Sequence, residues 1–436
     1  MGLVETTNEL EVTENELLKE KLFYQRLPAG LDVYVMPKQD YLEQYAIFAT
    51  RYGSIDTTFL LPGQGKAMST PAGVAHFLEH KLFEKPEGSI FETFAALGAS
   101  VNAYTSYALT SFLFSTTDNF QECLETLIEL VQKPYFSEAS VAKEQGIIAQ
   151  EITMYEDDPD YQVFSNLMQA LYHSNSVRNK IAGTIESVGQ ITPEILYQCH
   201  STFYHPQNMV LFVTGDIQPQ RVMEITHRRL AQASHKAQGV VRRVYPHEPQ
   251  TVRQGQVEIE MGVARPICYI GFKDAELKTG DELMRQQLVA SLTLQMLFGK
   301  TAGLYNRLYE SGLIDDSFGA YYSAEETFAH SVLGGATHNP LKLREAIAAG
   351  LREARENGIT EEEFDRQKRK SIGSFLYAFN SLEFIAGNFI SAHLRGSSLF
   401  SYLDILQRLG PSDVERCLQE QFSEAQMAVS IIWPRA

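Results

Sequence analysis

Gly73-Val-Ala-His76-Phe-Leu-Glu79-His80-Lys-Leu-Phe-Glu-Lys85 can be laid without gaps on Leu288-Val-Ala-Ser291-Leu-Thr-Leu294-Gln295-Met-Leu-Phe-Gly-Lys300, sharing Val-Ala and Leu-Phe-x-Lys. This pair of segments decides the fold reading, because it makes the second half of the chain a diverged copy of the first. It also separates the halves chemically. His76, Glu79 and His80 are matched by Ser291, Leu294 and Gln295, which cannot build a metal site. Histidines that served packing alone would be expected to have similar counterparts in both copies, so the asymmetry points to function in the first.

On an α-helix His76, Glu79 and His80 stand at i, i+3 and i+4 and project from one face. Thr70 followed by Pro71 predicts the helix start, a capping hydroxyl with proline in the first turn. Val74, Phe77, Leu78 and Leu82 can bury the other faces. Two imidazoles so spaced can grip one Zn²⁺ and leave coordination positions open. A carboxylate beside them can take a proton from an attacking water. A catalytic zinc wants a third protein ligand. The acidic helix expected from Ser140 to Tyr155 offers Glu144 and Glu151, two turns apart and therefore on one face. One could bind the metal while the other hydrogen-bonds the site from behind.

Around this helix the chain reads as α+β. Alternating apolar stretches at 22–37 and 44–58 predict strands, as do Ser100–Ser106 and Thr110–Ser115. Gly63-Gln-Gly65 marks a loop, and a second helix is expected near 88–98. Helical periodicity dominates 119–205, broken at Asp157-Asp158-Pro159, and Met209–Gly215 reads as a buried strand. The second half repeats the order: a helical block at 341–422, then a last strand, Met427–Ile432, resembling Met209–Val213. The expected divisions are a polar arm at 1–20, a site-bearing domain at 21–233, a linker at 234–253 and a chemically silent copy at 254–436. Each domain is expected to be a mostly antiparallel sheet packed with helices.

At 436 residues with 44% hydrophobic and 21% charged residues, the composition is that of an ordinary globular protein of two or three domains. A net charge of −17 argues against nucleic acid as a partner. No apolar run reaches membrane-spanning length, and the acidic N-terminal stretch has no signal-peptide core. Cys123, Cys199, Cys268 and Cys417 are scattered and form no C-x-x-C pair, which fits the reducing cytoplasm.

The H-x-x-E-H order of His76 to His80, followed by a Glu on a helix some seventy to eighty residues later, resembles the pitrilysin, insulin-degrading enzyme and mitochondrial processing peptidase family of zinc metallopeptidases. Asn102-Ala-Tyr-Thr105 and Tyr204-His-Pro-x-Asn-Met209 with Thr214-Gly-Asp216 are similar to further family landmarks. The resemblance covers essentially the whole chain and is strongest to short, two-domain bacterial members. It implies that His76, His80 and Glu151 hold zinc, that Glu79 is the base and that Glu144 supports the site. It implies a clamshell dimer of α+β domains around a chamber. Extended peptide substrates would add a strand at the sheet edge, against Asn102, Ala103 and Tyr104.

One departure from the family pattern matters, beside a softer one at His173-Ser-Asn-Ser-Val, where relatives tend to show a His-Pro-rich segment. Active members carry an Arg and a Tyr seven residues apart in the second half. Here Tyr309 stands at the Arg position, Asp315 or Asp316 at the Tyr position, and Arg307 falls two positions early. The expectation is therefore a heterodimer whose related subunit supplies the pair. The alternatives are a self-sufficient homodimeric peptidase and a non-catalytic assembly subunit.

Overall fold

A computed structural model describes residues 10–61, 65, 67–86, 88–232 and 239–435. Residues 1–9 of the expected arm, Gly63 and Gln64 of the expected loop and 234–238 of the expected linker lie outside these. The chain forms two compact units that are not simply its two halves. One comprises residues 1–152, 180–245 and 378–394; the other comprises 153–179, 246–377 and 395–436.

The first unit is built on a seven-stranded sheet. Its strands are β1 (Glu11–Asn15), β2 (Glu20–Arg26), β3 (Asp32–Pro37), β4 (Gln44–Thr50), β5 (Ser100–Thr105), β6 (Thr110–Thr116) and β7 (Met209–Gly215). They lie in the order β1-β2-β3-β7-β4-β6-β5. Only β3 and β7 run parallel; every other pairing is antiparallel. Part of the expected arm is thus an edge strand, β1, paired with β2 from Glu11↔Tyr24 to Asn15↔Glu20. The expected linker is also partly tied down. Arg242–Arg243 pairs with Thr58–Leu60, and the Arg243 Nε lies 3.1 Å from the buried Asp56 Oδ1.

The second unit repeats the last five strands of that order. Its sheet is β8 (Gln256–Met261), β9 (Ile267–Lys273), β10 (Gly319–Glu325), β11 (Phe328–Ala336) and β12 (Met427–Pro434), in the order β8-β12-β9-β11-β10. Again the first pairing, β8 with β12, is parallel and the rest are antiparallel. The order and sense match β3-β7-β4-β6-β5 strand for strand, so the sequence duplication is a duplication of topology.

The helices that matter for the site are α1 (Val74–Leu82), α2 (Phe120–Gln132) and α3 (Glu138–Asp157). In the second unit α5 (Gly280–Phe298) stands where α1 does in the first, and the residues paired with His76–His80 lie within it. Each unit also takes a helix from the other half of the sequence. α4 (Pro159–Leu171) packs on the second sheet, where Gly271 leaves room for it: a Cβ there would meet Leu171 Cδ1 at 2.8 Å. α6 (Leu382–Leu394) packs on the first, its Phe389 ring stacked 4.4 Å from Phe212 and tilted 4.8 Å from Tyr34. Aromatic pairs of this kind add about 0.5–1.5 kcal/mol beyond the area they bury. Asp158 makes the α3-to-α4 break, its side chain accepting from the backbone N–H of Asp160 (2.9 Å) and Tyr161 (3.3 Å) ahead of Pro159.

Candidate metal centre

α1 begins later than Thr70-Pro71 predicts. Its first helical residue is Val74, and the residue before it, Gly73, has φ +95° and no side-chain cap. The reason is a close crossing: a Cβ on Gly73 would sit 2.5 Å from the Ala182 carbonyl oxygen. A left-handed residue under a crossing backbone must be glycine. Thr70 instead donates its hydroxyl to the Thr57 carbonyl (3.3 Å), pinning the preceding strand. Beyond the start, the expected burial pattern holds. Val74, Phe77, Leu78 and Leu82 are core residues, and Lys81 is wholly buried, pairing with Glu84. With that face fixed, His76, Glu79 and His80 share the remaining one.

Facing them is α3, whose Ile148 and Ile152 are buried in the same core. The structure brings His76, His80 and Glu151 together, with one potential ligand atom from each within 4.8 Å of the others. His76 Nε2 lies 3.5 Å from Glu151 Oε1, and His80 Nε2 lies 3.6 Å from Glu151 Oε2. These separations are long for hydrogen bonds. They match the edge of a tetrahedron about 2.0–2.1 Å in radius, which is about 3.4 Å, the geometry zinc takes with His and carboxylate ligands.

Glu144, buried at 8% exposure, sits 3.1 Å from His80 Nδ1. A proton on Nδ1 for that bond leaves the Nε2 lone pair aimed toward Glu151, where a cation could accept both. His76 Nδ1 is buried without a hydrogen-bond partner among the described residues. Burial alone would lower the His80 pKa. The Glu144 hydrogen bond and the charges of Glu151 and Glu79 outweigh it and raise the pKa, so the site favours positive charge at this ring. His₂Glu is a donor set that suits Zn²⁺, and the residues present fit it.

Glu79 is on the same face but is not one of the three. Its Oε2 accepts a 2.6 Å hydrogen bond from the Thr105 hydroxyl at the end of β5. β5 ends the sheet order, so its outer backbone edge has no partner strand among the described residues. Its residues alternate. Val101, Ala103 and Thr105 are half-buried, whereas Asn102 and Tyr104 are exposed on the other face. The Asn102 side chain accepts from the Ala103 N–H at 2.9 Å.

Two residues near Glu79 received no role from the sequence. Thr105 was visible only as the last letter of Asn-Ala-x-Thr. Tyr204, wholly buried, has a pKa pushed well above normal, first by burial and then by the Glu79 charge. Asn208, another landmark residue, is structural: its amide donates to the Phe203 carbonyl (2.8 Å), the Thr50 hydroxyl and the Arg51 carbonyl (both 3.2 Å). In the second unit Arg307 is paired with Glu353 at 2.7 Å and Asp315 with Arg265 at 2.6 Å. Tyr309 is exposed.

Comparison with known proteins points the same way. Residues 63–185 match the model of the insulinase family, peptidase family M16, and residues 190–371 match that of the peptidase M16 inactive domain. The chain is 41% identical to YmfH of Bacillus subtilis, an uncharacterized zinc protease, over 97% of this chain and 99% of that one. It is 27% identical to a second such zinc protease of that species, YmxG, over 73% and 78% of the two chains. Among solved structures, an M16-like peptidase from Alicyclobacillus acidocaldarius superposes with a TM-score of 0.92 at 36% identity, covering 100% of both chains. A protease from Helicobacter pylori shares the fold, with a TM-score of 0.83 at 20% identity over 95% of this chain and 100% of that one.

Proposed function

Because the chain belongs to the insulinase family, peptidase family M16, and is a zinc protease of that family, we propose that it is an endopeptidase for extended peptides, with His76, His80 and Glu151 as zinc ligands and Glu79 as general base. The observation that carries this reading is the convergence of those three ligands beside a carboxylate that is itself held by the free edge strand. Bound there, zinc supplies a Lewis acid that polarises the scissile carbonyl and makes water acidic enough to lose a proton near neutral pH.

The remaining work falls to side chains and backbone. Glu79 takes the proton of the attacking water and returns it to the leaving amine nitrogen. Glu144 holds His80 in the tautomer whose Nε2 faces Glu151. β5 receives the substrate backbone as an added strand along Asn102, Ala103 and Tyr104. Main-chain hydrogen bonds then carry affinity and leave the side-chain requirements loose.

The partner is part of the proposal. Arg307 is occupied by Glu353, and aspartates stand where the family has its Tyr. This supports a clamshell heterodimer whose related subunit supplies the Arg–Tyr pair. Four free, buried cysteines support a cytoplasmic setting; no helix among the described residues is long and apolar enough to cross a membrane.

The test is cleavage of quenched fluorogenic peptides by the zinc-loaded chain, alone and with a related subunit carrying the Arg–Tyr pair. The expected result is slow cleavage alone, strong acceleration by the partner, and none with Glu79→Gln. Full activity of the isolated chain would refute the heterodimer, and an active Glu79→Gln form would refute the base assignment.

A further inference from the structure

We propose that Thr105 is the positioning residue for Glu79, and that it decides which carboxylate oxygen handles the proton. This rests on the reading of Glu79 as the base. The Thr105 hydroxyl has one proton and two acceptors within reach: Glu79 Oε2 at 2.6 Å and Thr110 Oγ1 at 3.3 Å. Thr110 donates its own proton to the Tyr52 carbonyl at 2.9 Å, so toward Thr105 it offers only a lone pair. An ionised acceptor at the shorter distance takes the Thr105 proton, and 2.6 Å is the length of a charge-assisted O–H···O⁻ bond.

The proton is therefore committed to Oε2. No hydrogen bond engages Glu79 Oε1 among the described residues. With Oε2 held in the Thr105 bond, Oε1 is the oxygen left to accept a proton from water and hand it on.

The position of Thr105 in the fold makes this hold firm. A β-branched side chain has few χ1 choices, and Thr105 pairs directly with Thr110 across the ladder. Thr110 is wholly buried and pairs in turn with Thr50 of β4. α1 and the last residue of the edge strand are thus joined through the Glu79 carboxylate itself. The residue that orients the base belongs to the strand proposed to receive the substrate.

The test compares Thr105→Val, isosteric but without the donor, with Thr105→Ser, which keeps it, both zinc-loaded and beside Glu79→Gln. Thr105→Val is expected to lower kcat by about 10- to 100-fold, the scale of losing a group that orients a catalytic partner. KM and zinc stoichiometry are expected to stay unchanged, and Thr105→Ser to restore most of kcat. A crystal structure of metal-free Thr105→Val is expected to show the Glu79 carboxylate turned away from its wild-type position, with Thr105→Ser keeping it. Should Thr105→Val fail to fold, Thr105→Ala is read against Thr105→Ser in the same way.

An unchanged kcat in the donor-less variant overturns the inference. So does a serine form as slow as the donor-less one, or a loss confined to KM, since each assigns Thr105 to packing or to strand binding. If Glu79→Gln is itself active, it is the base assignment that fails, a separate result from these.

Discussion

The α1 segment and its counterpart in α5 occupy equivalent places in two units of the same strand order, yet among the described residues only α1 contributes to a candidate metal-ligand set. In the first unit His80 reaches Glu144, the seventh residue of α3. In the second, Gln295 stands at the place of His80 and accepts a hydrogen bond from Gln367. Gln367 is the seventh residue of its own helix, Glu361–Ala378. The contact has been kept and its chemistry exchanged, from a titratable pair to an uncharged amide pair. The fourteenth residues differ in the same sense, Glu151 against Ser374. Leu294, in place of Glu79, is 1% exposed and part of the second core.

The edge strands differ in parallel. The ladder from Met209 outward runs Thr50, Thr110, Thr105, and from Met427 it runs Phe272, Ser331, Tyr322. Tyr322 gives its hydroxyl to Asp274, whose carboxyl burial pushes up to about 6. What separates a site from a scaffold here is a handful of side chains on a shared backbone plan.

Exchanging those side chains should break the comparison in graded steps. His80→Gln, which writes the second unit's residue into the first, is expected to remove zinc and lower kcat/KM by about 10⁴ or more, the scale of losing one member of a catalytic unit; metal analysis and peptide cleavage check it. Leu294→Ala should do the opposite. It should cost about 2–5 kcal/mol of stability, as large-to-small core changes do, and leave zinc content untouched, as read by denaturant unfolding beside metal analysis.

Glu144→Gln should keep the fold and weaken zinc affinity by about 10- to 100-fold, the usual effect of removing a carboxylate behind a metal-binding His; competition with a chelator measures it. Smallest of all, Gln367→Ala should leave zinc affinity unchanged and lower stability by about 0.5–1.5 kcal/mol, the net worth of one hydrogen bond. A zinc effect from Gln367→Ala would mean that the second unit contributes to the site after all.

The duplication and the first two ligands were legible in the sequence because they are local. A helix repeats its faces every three to four residues, so His76 and His80 declare themselves from spacing, and strand alternation announces β3 to β7. Glu151 and Glu144 were legible only as a pair on one face. Spacing could not say which approaches the metal, since that depends on how α3 crosses α1. Thr105 is twenty-six residues from Glu79 and meets it only because β5 pairs with β6. The helix start was misplaced from Thr70 to Gly73 by a crossing at Ala182, more than a hundred residues away. The exchange of α4 and α6 between units left no local mark, because an amphipathic helix fits any apolar sheet of suitable shape. Gly271 and Phe389 reveal it only once the sheets are built.

The most direct test of one site on one of two matching scaffolds is anomalous scattering at the zinc edge from crystals of the zinc-loaded protein. The account predicts a single strong peak within bonding distance of His76 Nε2, His80 Nε2 and the Glu151 carboxylate, and none beside Gln295 and Gln367. A peak that misses any of those three residues, or a second one in the other unit, would contradict it.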